Sequence, residues 1–146
     1  MHKDSNVKAR ELSFYTLFSS SSGKTDIDES LRMILLEPDA IGIRGIIQNR
    51  IRLWKKNKDK IDQDISELLK KGSLEDLSFV ALSALRLGFC EMEYDKDIPY
   101  RVAINEAVEL AKKFGDQATA RFVNAIMDAR LKRIREKGES DENKEK

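Results

Sequence analysis

The sequence predicts an all-α fold, a helical bundle of about seven helices. Three observations carry that prediction. Apolar residues recur at helical spacing along most of the chain, strand-like alternation is nowhere sustained, and the 146 residues contain only two prolines and seven glycines to interrupt helices.

The elements follow in order. Val7, Phe14, Leu17 and Phe18 share one side of a first helix, which the serine run Ser19–Ser22 and Gly23 end. Asp26 caps a second helix carrying Ile27, Leu31, Ile34 and Leu35. Glu37 to Gly45, with Pro38 and two glycines, reads as a loop. Ile46, Ile47, Ile51 and Trp54 mark a third helix. A fourth carries Ile61, Ile65, Leu68 and Leu69 and ends at Lys70, Lys71 and Gly72. Ser73 and Asp76 form a capping-box pattern at the head of LEDLSFVALSALRLGFCEM, which is apolar nearly all round and belongs at the centre of the bundle. Pro99, with Asp97 or Ile98 as cap, starts a helix whose stripe is Ile104, Ala107, Val108 and Ala111, closed by Gly115. The last helix uses Val123, Ile126, Met127, Arg130 and Ile134. The charged tail, 138–146, is expected to be disordered because it has no apolar residue to bury. There is no internal repeat.

Length gives one domain with a real core, and 40% hydrophobic with 36% charged residues is ordinary for amphipathic helices. The net charge of +1 excludes a global field for polyanions, so any nucleic-acid surface is a local patch. One cysteine, Cys90, forms no internal disulfide, no apolar run is membrane-length, and the N-terminus lacks a signal-peptide core; a cytoplasmic location is expected.

Catalysis is largely excluded by inventory. His2 is the only histidine, so there is no Ser-His or Cys-His pair, no zinc set and no metal site; no phosphate-binding glycine loop implies a cofactor. Glu106 and Glu109 read as surface charges. IGIRGII (Ile41–Ile47) matches the GXXG of KH domains, but both flanks read as helix, so glycine at a helix entry is preferred. In the basic run from Asn49 to Lys60, Arg50, Arg52, Lys55, Lys56, Lys58 and Lys60 surround Trp54. Cations around an aromatic suit single-stranded RNA; a solvated face over a buried Trp54 is the preferred alternative. Arg86, inside an apolar helix, must reach an acid or the surface, and pairing and ligand contact both stay open. Asn105 interrupts an apolar face and is expected to satisfy a neighbouring backbone group.

Four segments, KARELSFYTLF, LSALRLGFCEMEY, DIPYRVAINEAVELAKKFG and FVNAIMD, resemble the NusB family in order and spacing over roughly residues 8–130. The resemblance implies two packed helical subdomains, here about 1–72 and 73–137 of one domain spanning 1–137. It implies a non-catalytic RNA-binding antitermination factor that holds the boxA element of ribosomal RNA transcripts together with ribosomal protein NusE, within the RNA polymerase antitermination complex. It carries RNA contacts onto Lys3, Lys8, Arg10, Phe18, Arg86, Arg121 and Phe122. The chain departs from the family pattern at Asn6 and Val7, where relatives often have arginine, and at Ala81 and Leu82, near the NusE contact in relatives. The usual acidic residue is missing around Gln117 and Ala118, and Ala125 replaces the usual glycine. A homodimer, known among relatives, is a further partner to consider. Two other classes compete: a helical protein-interaction module, and an accessory to an rRNA methyltransferase with no catalysis of its own.

Overall fold

A computed structural model describes the backbone of residues 2–139 and 141–146, with side chains from Ser5 onward in that range. Six α-helices follow one another: α1 (His2–Ser21), α2 (Ile27–Leu35), α3 (Arg44–Leu68), α4 (Phe79–Tyr94), α5 (Tyr100–Phe114) and α6 (Gln117–Glu136). Short 3-10 turns occupy Pro38–Ala40 and Leu74–Asp76. No strand occurs among the described residues.

The count is six and not seven because the expected third and fourth helices are one. Between Trp54 and Ile61 lie only polar residues, with no glycine or proline, so the backbone has no reason to stop. The result is a 25-residue helix, about 38 Å long. The Ser73–Asp76 capping box forms, but it closes a 3-10 turn. Helix α4 starts later, where Ser78 Oγ accepts from the Ala81 backbone N–H at 3.1 Å. Asp26 caps α2 as expected, accepting from Glu29 N at 2.8 Å. Pro99 is itself the cap of α5, one residue before the helix. In IGIRGII, Gly42 takes φ +88° and Gly45 lies inside α3, so the motif is a helix entry.

Helix α4 is central and packs against α1, α3, α5 and α6. Its buried residues occupy every side, from Ala81 to Met92 with only Arg86 half-exposed, as its apolar circumference requires. Phe89, Leu85, Phe14, Leu17, Ile51, Ile61 and Met127 are among the fully buried side chains of one continuous core. Each contributes about 1.5–3 kcal/mol by leaving water.

Residues 141–146 differ from the expected disorder. The Lys144 ammonium is buried and donates to the carbonyls of Glu91 (3.0 Å), Asp95 (2.7 Å) and Ile98. The physical reason is local: the C-terminal carbonyls of α4 lack helical partners, and a cation suits the negative end of a helix. Burial holds the Lys144 pKa below its usual value. The Tyr100 N–H donates to the Lys144 carbonyl at 2.7 Å, which fixes the tail against the start of α5.

Candidate nucleic-acid interface

Hydrogen bonds and ring contacts give α1 and α4 opposite directions. Arg10 in the middle of α1 meets Glu91 near the end of α4, while Ser21 at the end of α1 meets Arg86, further back along α4. The nominated residues therefore divide between two places. Lys8 and Ser21 are separated by about 20 Å of helix axis.

At the first place the cations are already occupied. Arg10 is 5% exposed, and its Nε donates to both carboxylate oxygens of Glu91 at 3.0 Å. Arg50 Nε reaches the same carboxylate at 3.1 Å, and Glu91 is 1% exposed. This is a correction to the sequence reading: Arg10 is a core ion-pair residue, removed from the surface because Glu91 needs a counter-charge there. Lys8 stays partly exposed, 3.4 Å from Asp39. The side chain of Lys3 lies outside the described residues.

The second place lies where the end of α1, the start of α4 and the α5–α6 turn meet. Phe14 stacks on Phe114 with centroids 5.0 Å apart, Tyr15 meets Phe114 edge-on at 5.2 Å, and Phe18 meets Phe79 edge-on at 6.3 Å. Tyr15 is 40% exposed and Phe79 47%. The α5–α6 turn is tight because of Gly115: a Cβ there would lie 2.7 Å from the Ala111 carbonyl oxygen. Asp116 then caps α6, accepting from the Thr119 N–H at 2.8 Å, and those hydrogen bonds hold its carboxyl below the usual range. The first two turns of α6 present Arg121, exposed, and Phe122, half-buried against the core.

Arg86 closes this end toward α3. Its Nε and Nη2 each donate to an Asp62 carboxylate oxygen at 2.9 Å, and its Nη1 donates to Ser21 Oγ at 2.9 Å. Its guanidinium lies over Trp54, 5.1 Å from the ring centroid. Of the two readings left open for Arg86, pairing is what the side chain does here, while 17% of its surface remains exposed. Trp54 is buried, in line with the preferred reading of the basic run.

Beside Phe18 and Phe79 runs a groove of about 630 Å³, lined also by Ser30, Met33 and Ile34. Sequence reasoning did not nominate Tyr15, Phe79 or Phe114 as surface groups. The available signal was positional: Phe79 directly follows the Ser78 cap, and Tyr15 falls between buried Phe14 and Thr16. The chemistry on offer is stacking from rings and charge from Arg121, with Arg86 and Lys113 also present but held by Asp62 at 2.9 Å and Glu11 at 2.5 Å. The Cys90 thiol is no nucleophile, since burial pushes its pKa up to about 12. Among the described residues, no cluster of His, Cys, Asp or Glu is arranged to hold a metal ion, and no helix is long and apolar enough to cross a membrane.

The NusB family model matches residues 7–132. This chain belongs to the NusB family. A relative from Dehalococcoides mccartyi, "Transcription antitermination protein NusB", is 33% identical over 126 residues, covering 86% of this chain and 88% of that protein. Among solved structures, T. maritima NusB superposes with a TM-score of 0.76 at 35% identity, covering 86% of this chain and 89% of that one. A chain from the complex of antitermination factors NusB and NusE with dsRNA gives a TM-score of 0.77 at 23% identity, covering 89% and 98%; that likeness is one of fold.

Proposed function

We propose that this chain is a NusB-type transcription antitermination factor that binds boxA-type single-stranded RNA jointly with ribosomal protein NusE and carries out no chemistry itself. It acts on nascent transcripts in the cytoplasm, within the RNA polymerase antitermination complex. Family membership over 7–132 supports the reading. The observation that carries it at the level of residues is the aromatic end of the bundle: Phe18 against Phe79 and Tyr15 against Phe114, with Arg86 on α4 and with Arg121 and Phe122 on α6 just past the Gly115 turn. A ring stacked on an unpaired base contributes about 1–3 kcal/mol, and each neutralised phosphate of a single strand adds about 0.7 to the salt slope. Lys8 extends the cationic surface of α1 and Arg10 supports that helix from inside, while Lys3, whose side chain lies outside the described residues, is carried as an RNA contact by the family likeness alone.

The test is mobility shift with boxA RNA, with and without NusE. The expected result is a complex that NusE strengthens and that weakens as salt rises. Absence of a complex with either at micromolar protein and moderate salt would refute the reading.

A second reading, a protein-interaction module without RNA contact, is favoured by one observation. The cations nearest the start of α1 with described side chains are paired: Lys8 with Asp39 and Arg10 with Glu91. NusE binding with no RNA contribution would select it.

A further inference from the structure

Helix α4 ends without a cation of its own. The last turns of α5 and α6 carry Lys112 with Lys113 and Arg133 with Arg135, which suit the negative end of a helix, whereas the last turn of α4 has no basic residue. Directly after Tyr94 the chain turns extended at Asp95 (φ −104°, ψ 103°), so the carbonyls of that last turn have no further helix to bond to.

The missing charge comes from the C-terminal segment. Of residues 141–146 only Lys144 is buried; Asp141, Glu142, Asn143, Glu145 and Lys146 are exposed. Its ammonium has three N–H donors, and the carbonyls of Glu91, Asp95 and Ile98 receive them. It also lies 5.4 Å from the centroid of the Tyr100 ring. The Tyr100 N–H bonds back to the Lys144 carbonyl, the Asp141 N–H donates to Tyr100 Oη at 3.1 Å, and Arg135 Nε donates to the Glu145 carboxylate at 2.9 Å. Every tie is a hydrogen bond or ion pair, which nets little over hydration, and the segment has no apolar residue to add to them. Its closure is therefore reversible.

Two of the residues it grips are gripped a second time. Glu91 and Asp95 give their carbonyls to Lys144, while the Glu91 carboxylate holds Arg10 and Arg50 and the Asp95 carboxylate lies 3.8 Å from Arg50. We propose that residues 141–146 form a latch that closes the open end of α4 through the Lys144 ammonium and braces the turn that anchors Arg10 and Arg50. Its key is that one charge, and without it the segment lifts off. The latch does not depend on RNA binding and stands or falls apart from it.

The test is hydrogen exchange on the full chain. It compares the wild type with Lys144→Met, which keeps an apolar stem and removes the charge and donors, and with Lys146→Met, the exposed control. Tyr100 is the first residue of α5, where an amide has no partner within its own helix, so the Lys144 carbonyl is what protects it. The expected result is slow exchange at Tyr100 in the wild type and Lys146→Met, about tenfold faster exchange in Lys144→Met, and a smaller acceleration there from Glu91 to Tyr94. In the wild type an amine-acylating reagent should modify exposed Lys146 about tenfold faster than buried Lys144. Equal exchange at Tyr100 in the wild type and Lys144→Met, or Lys144 acylated as fast as Lys146, overturns the latch. Acceleration confined to Tyr100 means a segment that docks without bracing α4 and overturns it too. So does a Lys146→Met that matches Lys144→Met, since the key would then be the charge of the whole segment. The acylation rates are read on the wild type alone, so they decide even where Lys144→Met fails to fold.

Discussion

Near the C-terminal end of α4, Arg10, Arg50 and Glu91 are 5%, 6% and 1% exposed and locked together; toward its N-terminal end Phe79 is 47% exposed and the Arg86 side chain keeps 17% of its surface. Both ends use arginine, yet a buried carboxylate decides what the arginine does. Glu91 draws in two guanidiniums because one buried charge without a partner would cost several kcal/mol. Asp62, itself 29% exposed, holds Arg86 near the surface without sealing it. One end is thereby built for rigidity and the other is left available to a ligand.

The sharpest way to break this contrast is to remove the buried acid. Glu91→Ala would leave Arg10 and Arg50 in the core without their common partner. The expected loss is about 3–5 kcal/mol, seen as a large drop in thermal or denaturant midpoint. A variant that melts like the wild type would mean that Glu106, 3.7 Å from Arg10, and Asp95, 3.8 Å from Arg50, hold the two arginines without Glu91.

At the open end, Phe79→Ala is expected to weaken boxA binding by about 1–3 kcal/mol, roughly 5- to 150-fold, with little change in helical content. The ring is half in solvent and touches Phe18 edge-on, so stability has less to lose than affinity. Arg10→Ala should do the reverse, lowering the melting midpoint more than it lowers RNA affinity in the surviving folded protein. If both substitutions affected the two measurements alike, the division between a structural and a binding end would fail.

Much of this was legible from the sequence, and the gaps have physical causes. Caps and stripes are local, so Asp26 and the Gly115 stop could be read from a few neighbours. The continuity of α3 was missed because a polar turn in a long helix looks like a break when only apolar spacing is followed. Arg10 was misjudged because its partner Glu91 lies 81 residues away, and no short-range pattern marks a carboxylate as buried. The docking of Lys144 depends on backbone carbonyls at the end of α4, which a composition argument cannot see.

A pH series sharpens the rigid side. Burial raises the Glu93 carboxyl above its ordinary value of 4.5, against the pull of Arg130, whose Nη2 donates to it at 2.6 Å. A carboxyl with a raised folded pKa binds its proton more tightly in the native state. Its contribution is therefore fully present below about 4.5 and is lost as pH rises through the elevated folded value. The stability of the wild type relative to Glu93→Gln should accordingly fall across that window and level off above it. Denaturant titrations of both proteins at several pH values measure this directly, and a difference that stays flat would remove burial as the dominant influence on Glu93.

The smallest expected effect tests the open side at its least supported cation. Arg121 is exposed on the first turns of α6 and forms no ion pair among the described residues, so Arg121→Ala should leave the melting midpoint within about 0.5 kcal/mol of wild type. If it neutralises one phosphate, the slope of log affinity against log salt should fall by about 0.7, with the loss equal for matched and scrambled strands, because a phosphate contact carries no sequence information. An unchanged slope would take Arg121 out of the interface. A loss confined to the boxA sequence would instead make Arg121 a base reader, and the open end of the bundle would then discriminate by hydrogen bonding as well as by stacking.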